Sequence, residues 1–99
     1  MSYEIEIINP AQKDIEAAVR YYEELLPGLG KRFLTQLRII SAQLVVNPFY
    51  EIKYKSVRTV LMPIFPYLIH FLVIVEKKRV VILAIVYAGR KPLDYTKRE

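Results

Sequence analysis

Residues 65 to 93, FPYLIHFLVIVEKKRVVILAIVYAGRKPL, constrain what this chain can fold into more than any other stretch. Tyr67 to Val75 and Val80 to Tyr87 consist almost wholly of Val, Ile, Leu and aromatic residues, and the charged bend Glu76-Lys77-Lys78-Arg79 separates them. Two such runs joined by a short polar bend predict a β-hairpin. The second run, VVILAIVY, has no polar face, so a strand made from it needs cover on both sides. The charged bend also keeps either run short of the ~18 continuous apolar residues that a membrane crossing requires.

The upstream half has to supply one layer of that cover. Tyr3-Glu4-Ile5-Glu6-Ile7 alternates apolar with acidic, the period of a strand with one wet face. Asn9 and Pro10 then predict a helix start, Asn as a cap and Pro at the first helical position, with Gln12 where a capping-box partner would stand. Ile15, Ala18, Val19, Tyr22, Leu25 and Leu26 recur at helical spacing and give a first helix from Pro10 to Leu26. Pro27-Gly28-Leu29-Gly30 is too short to link domains, so the next helix turns back against the first. That helix carries Phe33, Leu37, Ile40 and Leu44 on one side, broadened by Leu34, Ile39 and Val45, and stops at Asn47-Pro48.

Tyr50, Ile52 and Tyr54 alternate with Glu51, Lys53 and Lys55 as a further half-exposed strand, and Thr59 to Met62 continue it or form a short one after it. Pro63 and Pro66 place the next connection at an edge or in a loop. After Tyr87 the chain turns polar, and its last few residues are expected to be loosely held. A chain of 99 residues, 54% hydrophobic and 25% charged, is most simply one domain spanning 1–99. The order β-α-α-β-β-β predicts an α+β fold, with the helical hairpin packed on one face of a twisted, mostly antiparallel sheet.

Composition removes several chemistries. There is no Cys and only one His, so neither a thiolate nor a His-rich metal site can be built, and no cofactor is implied. Gly28 and Gly30 fit a helix–helix turn better than a phosphate-cradling loop. The N-terminus is acidic where a secretory signal would be basic, which with the lack of Cys points to a cytoplasmic protein. Residues 1 to 52 hold five Lys or Arg against seven Asp or Glu, and residues 53 to 99 hold ten against three. A basic half on a mixed protein points to phosphate or to an acidic partner, with plain solubility as the other reading.

The element order, with its joints, resembles the RelE/ParE superfamily of toxins from type II, plasmid-stabilisation-like toxin–antitoxin modules. The matching features are the strand YEIEI, the Tyr21-Tyr22 pair, the joint Pro27-Gly28-Leu29-Gly30-Lys31-Arg32-Phe33 and Asn47-Pro48. Phe65-Pro66-Tyr67 opening a strand and Val86-Tyr87-Ala88-Gly89-Arg90-Lys91-Pro92 closing the last one complete them. The likeness covers nearly the whole chain, and its long helical hairpin looks more like the ParE branch. It implies a growth-inhibiting toxin neutralised by a cognate antitoxin protein, ParE-like in acting on DNA gyrase. The alternatives are a RelE-like ribosome-dependent mRNA endoribonuclease, or a former toxin that keeps only antitoxin binding.

If the chain is a nuclease, the resemblance puts Arg90, Tyr95 and Tyr87 in the catalytic positions. Metal-free RNA cleavage needs a base for the 2′-hydroxyl, a cation for the crowded phosphate and an acid for the leaving oxygen. Pro63 stands where many relatives have a cation, and Tyr87 where many have His, so that set is incomplete. Tyrosine, with an ordinary pKa of about 10, makes a demanding base. Lys55, Arg58, Arg90 and Lys91 are the expected target- or phosphate-binding patch, an exposed strand face being the other reading for Arg58. His70, mid-strand between Ile69 and Phe71, reads as structural or partner-facing despite its suitable pKa. With Leu68, Leu72 and Ile74 it makes the sheet's second face too apolar to stand open, and an antitoxin helix or added edge strand is expected there.

Overall fold

The computed structural model describes residues 2–91 and 93–98, so Pro92 of the closing motif lies outside the described residues. Five strands and two helices follow the predicted order with one strand more, since residues 57–61 form a strand of their own after 52–54: β1 (Glu4–Ile7), α1 (Asn9–Leu25), α2 (Leu29–Val46), β2 (Ile52–Tyr54), β3 (Val57–Leu61), β4 (Tyr67–Ile74) and β5 (Arg79–Tyr87). They form one sheet in the order β1-β5-β4-β3-β2, antiparallel except for β1, which lies parallel to β5. The chain thus has the expected α+β architecture.

The β4–β5 hairpin is its centre. Val80 to Val86 are all buried, Ile82, Leu83 and Ala84 completely, as a strand without a polar face demands. On one face the helical hairpin contributes Ala11, Ile15, Ala18, Phe33, Leu37, Ile40 and Leu44, which pack on Val60, Ile69, Phe71, Val80, Ile82 and Ile85. The bend is a single 3-10 turn, Val75–Lys77, closed by Lys78 in the left-handed region at φ 52°.

Close approach of the helices is written at their joint. A Cβ on Gly30 would lie 2.8 Å from the Val19 carbonyl oxygen, so only glycine lets α2 start this near α1. Gly28 takes φ 92°, and the Glu23 carboxylate accepts the Gly28 and Gly30 N–H groups at 2.9 and 3.0 Å, satisfying donors at the α2 N-terminus. The start of α1 differs from expectation. Ile8 is its N-cap, with no side-chain cap bond, and Asn9 is already helical because Pro10 fills the first turn, where a missing N–H costs nothing.

Two features escaped the sequence pattern. His70 pairs with Ala84 but Phe71 with Ile82, so β5 carries a bulge at Leu83 that turns both Leu83 and Ala84 towards the face opposite the helices. The tail, expected to be loose, instead folds back as a 3-10 turn, Tyr95–Arg98, and buries Tyr95 against Val57, Val81, Leu83, Ala84 and Val86. Burial of an aromatic ring on an otherwise bare apolar face outweighs the polarity of its neighbours.

The tail is also pinned by charge. The β1 ladder ends at Ile7 opposite Ile82, leaving the β5 edge beyond it without a strand partner. Asp14 of α1 accepts the Ile85 N–H at 3.1 Å, and Arg98 donates to the Leu83 carbonyl at 3.0 Å and to Asp14 at 2.7 Å. Side chains therefore finish the hydrogen bonding that β1 is too short to provide.

Candidate functional site

A large concavity lies on the sheet face opposite the helices, where the tail covers only part of the second apolar layer. It is a groove of about 700 Å³. β2 and the turn after it supply Lys53, Tyr54 and Lys55, β4 supplies Leu68 and His70, and the tail supplies Leu93 and Asp94.

His70 is the polar centre of this groove and is 7% exposed. Its Nδ1 lies 3.1 Å from the Tyr54 hydroxyl, and the Tyr95 ring sits 4.8 Å away. The Tyr54 oxygen accepts the Tyr95 N–H at 3.3 Å. Its own proton is then available to Nδ1, an arrangement that puts the neutral imidazole proton on Nε2. Burial lowers the His70 pKa, and the Arg98 charge lowers it further, so the ring is neutral at pH 7. Burial likewise raises the Tyr54 phenol, opposed by the Tyr95 N–H. At the rim Lys55 pairs with Asp94, and this ion pair, with the Thr96 hydrogen bonds, holds the Asp94 carboxyl well below the usual range. The Tyr95 hydroxyl is buried without a hydrogen-bond partner among the described residues.

The site residues expected from the sequence are distributed over two faces. Leu68, Leu72 and Ile74 do lie on the face away from the helices and are half-buried, Leu72 and Ile74 already packed against the Tyr95 cluster. His70 lies under Tyr54 and Tyr95 and opens only into the groove. Lys55 sits at the groove rim, but Arg58 lies on the helix side, donating to the Tyr50 carbonyl at 2.7 Å and covering the Phe49 ring. Arg90 and Lys91 are exposed in the loop after β5. Lys55, in the turn between β2 and β3, thus faces the groove, Arg58 of β3 faces the helix side, and Arg90 lines a different hollow, so the four do not share one concavity.

The catalytic trio is divided in the same way. Tyr87 is half-exposed and packs on Tyr67 on the helix side, with Arg90 beside it, whereas Tyr95 is buried on the opposite face. The residues that sequence reasoning missed are Tyr54 and Asp94, together with the Asp14–Arg98 clamp. Their partners lie 16, 39 and 84 residues away, so no local pattern marked them. Among the described residues no cluster of three His, Cys, Asp or Glu could hold a metal ion, and no helix is long and apolar enough to cross a membrane.

No protein-family model matches the chain, and a search of curated proteins gave no match. Solved structures do share its fold. The chromosomal ParDE TA system from P. aeruginosa aligns over 89% of this chain and 98% of its own, with TM-score 0.66 and 21% identity. The intact E. coli RelBE toxin–antitoxin complex aligns over 90% of this chain and 100% of its own, with TM-score 0.62 and 16% identity. A free-state E. coli toxin RelE with two arginines changed to alanine aligns over 90% and 86%, with TM-score 0.60 and 16% identity. At these identities the likeness is one of fold.

Proposed function

We propose that this chain is the toxin of a type II toxin–antitoxin pair of the RelE/ParE kind, neutralised by a cognate antitoxin, and that once free it acts ParE-like on DNA gyrase. What carries the reading is the fold, which the chain shares over nine-tenths of its length with proteins of two toxin–antitoxin systems. The groove beside His70 supports the antitoxin part. Its apolar wall suits an apolar side chain, half-buried Leu68 and exposed Leu93 gaining cover when a segment docks, beside a rim where Lys53 pairs with Glu51 and Lys55 with Asp94. The division of Arg90 and Tyr87 from Tyr95 supports a target other than RNA, because phosphate stabilisation and proton transfer would have to act from opposite faces.

One observation favours the second reading, a ribosome-dependent mRNA endoribonuclease. Lys53, Lys55 and neutral His70 do share one groove, which would supply cations, once released from Glu51 and Asp94, and a proton-transfer group without Tyr87 or Arg90. Expression of the chain with and without the neighbouring reading frame tests the pairing: growth arrest relieved by that frame is expected. Purified chain should then inhibit supercoiling by purified gyrase. Codon-linked transcript cuts with unaffected supercoiling would replace the gyrase reading by the nuclease one. Absence of arrest, with retained binding to the neighbouring product, would mark a former toxin.

A further inference from the structure

His70 carries one polar group that the fold does not use. Its Nδ1 meets the Tyr54 hydroxyl at 3.1 Å, and Tyr54 accepts the Tyr95 N–H, which leaves the imidazole proton on Nε2. Among the described residues nothing accepts that proton, although only 7% of the residue is exposed and its ring lines the groove. A donor so placed costs free energy unless a guest in the groove meets it. Thr59 is paired with His70 across β3 and β4 and lines the groove beside it, while Leu68 and Leu93 supply apolar walls.

The charges around the groove are closed in pairs. Lys53 pairs with Glu51 at 2.9 Å, Lys55 with Asp94, and Arg98, whose charge reaches the ring, with Asp14 at 2.7 Å. An anion entering the groove has to open an ion pair to find a cation, and a cation has to open one to find a carboxylate. Donors are poorly served as well, since Asp94 already accepts from Lys55 and Thr96, and the Tyr54 oxygen from the Tyr95 N–H. What the site lacks is an uncharged acceptor beside apolar surface. Its volume of about 700 Å³ lies within the roughly 300–1,000 Å³ typical of sites that hold small molecules.

We propose that this groove binds a small uncharged molecule, a ketone, ester or amide with an apolar arm, its carbonyl oxygen accepting from His70 Nε2 and its arm lying on Leu68 and Leu93. The Thr59 hydroxyl stands where it can donate to the same oxygen. The site rests on a buried donor and on closed charges rather than on the likeness of fold, so it holds whichever target the chain acts on. The docking segment inferred above needs only the apolar wall, whereas the small molecule needs the donor, and the two occupants exclude each other.

Benzylacetone, hydrocinnamate and phenylpropylammonium share one shape and are uncharged, anionic and cationic at neutral pH. His70 is the only histidine, so its ring protons report occupancy directly in NMR titrations of the purified chain. Benzylacetone is expected to shift them saturably at millimolar concentration and to bind about fivefold more tightly than either charged probe, the cost of opening one exposed ion pair. His70→Phe keeps a ring and removes the donor, and should weaken benzylacetone about fivefold, read from the Tyr54 and Tyr95 rings. Leu93→Ala, at an exposed position that the fold does not depend on, should weaken it roughly threefold, and Val46→Ala, outside the groove, should change nothing. Should His70→Phe not fold, Leu93→Ala and the ranking of the three probes still decide. The proposal is overturned by unmoved His70 resonances, by a charged probe that binds as tightly as the ketone, or by ketone binding that the variants leave unchanged. Resonances that move with protein concentration alone assign the groove to a second copy and overturn it too. A response only to the product of the neighbouring reading frame assigns the groove to a protein segment, which overturns the small-molecule site and leaves the toxin reading standing.

Discussion

Replacing Asp14 by Ala should unlock the tail. The carboxylate accepts the Ile85 N–H at 3.1 Å on a strand edge with no neighbouring strand, and Arg98 at 2.7 Å. A hydrogen bond with a charged partner contributes about 1.5–3 kcal/mol, and the lower end applies to a site only partly shielded from water. The Arg98 pair has side chains 26% and 18% exposed, between a surface pair and a buried one, and is assigned about 1 kcal/mol. Alanine recovers roughly 0.5 kcal/mol of helix propensity, leaving a net cost of about 2 kcal/mol. For a domain of this size that lowers Tm by about 8–16 °C. Urea denaturation of the wild type, Asp14→Ala, Arg98→Ala and the double variant gives the coupling, expected near 1 kcal/mol. Amide exchange at Ile85 and Tyr95 should accelerate together, since one carboxylate restrains both. A single-variant cost below about 0.5 kcal/mol, the range of an ordinary surface substitution, would refute the clamp.

Gly30→Ala should destabilise by about 1–3 kcal/mol, because its Cβ meets the Val19 backbone oxygen at 2.8 Å; a stabilised protein, the usual result of Gly→Ala in an uncrowded helix, would show that the helices part freely. His70 binds its proton less readily folded than unfolded, where the pKa is 6.5. The unfolded chain therefore holds more protons between those two values, and stability is full above pH 6.5 and falls as pH drops through that window. Urea midpoints from pH 7.5 to 5 should decline, and His70→Gln should flatten the curve; equal slopes would mean another group titrates. Asp94, whose folded pKa is depressed, contributes stability that is present above pH 3.8 and lost as pH falls below it, so Asp94→Asn should lower stability throughout the range above pH 3.8 and flatten the profile only below it.

The β-hairpin, the helical pair and their apolar stripes were legible because each depends on neighbours within a few residues. Ile15, Phe33 and Ile40 lie on the stripes that periodicity assigned, and VVILAIVY is covered on both faces as its lack of polarity required. The site was less legible because strand pairing, not composition, sets which face a side chain takes. The short turn after Tyr54, with Lys55 at φ 49°, reverses the chain so that Lys55 reaches Asp94 while Arg58 goes under Phe49. The bulge at Leu83 moves one side chain across β5 and has no signature in an unbroken apolar run, where either register reads the same.

The tail is the most informative departure, because polarity averaged over LDYTKRE hides one residue that matters. Tyr95 lies on the apolar face, and its neighbours are anchored individually: Asp94 by Lys55, the Tyr95 N–H by Tyr54 and Arg98 by Asp14. Each anchor is partly exposed, and the Tyr95 hydroxyl lies buried without a partner among the described residues, a cost of about 1–3 kcal/mol against the closure. A cover held by partly exposed ion pairs and taxed by an unmet donor is stabilised less than the core it lies on. The tail's cover of the second apolar face thus rests on these anchors and on the burial of the Tyr95 ring, with the unmet Tyr95 hydroxyl set against them.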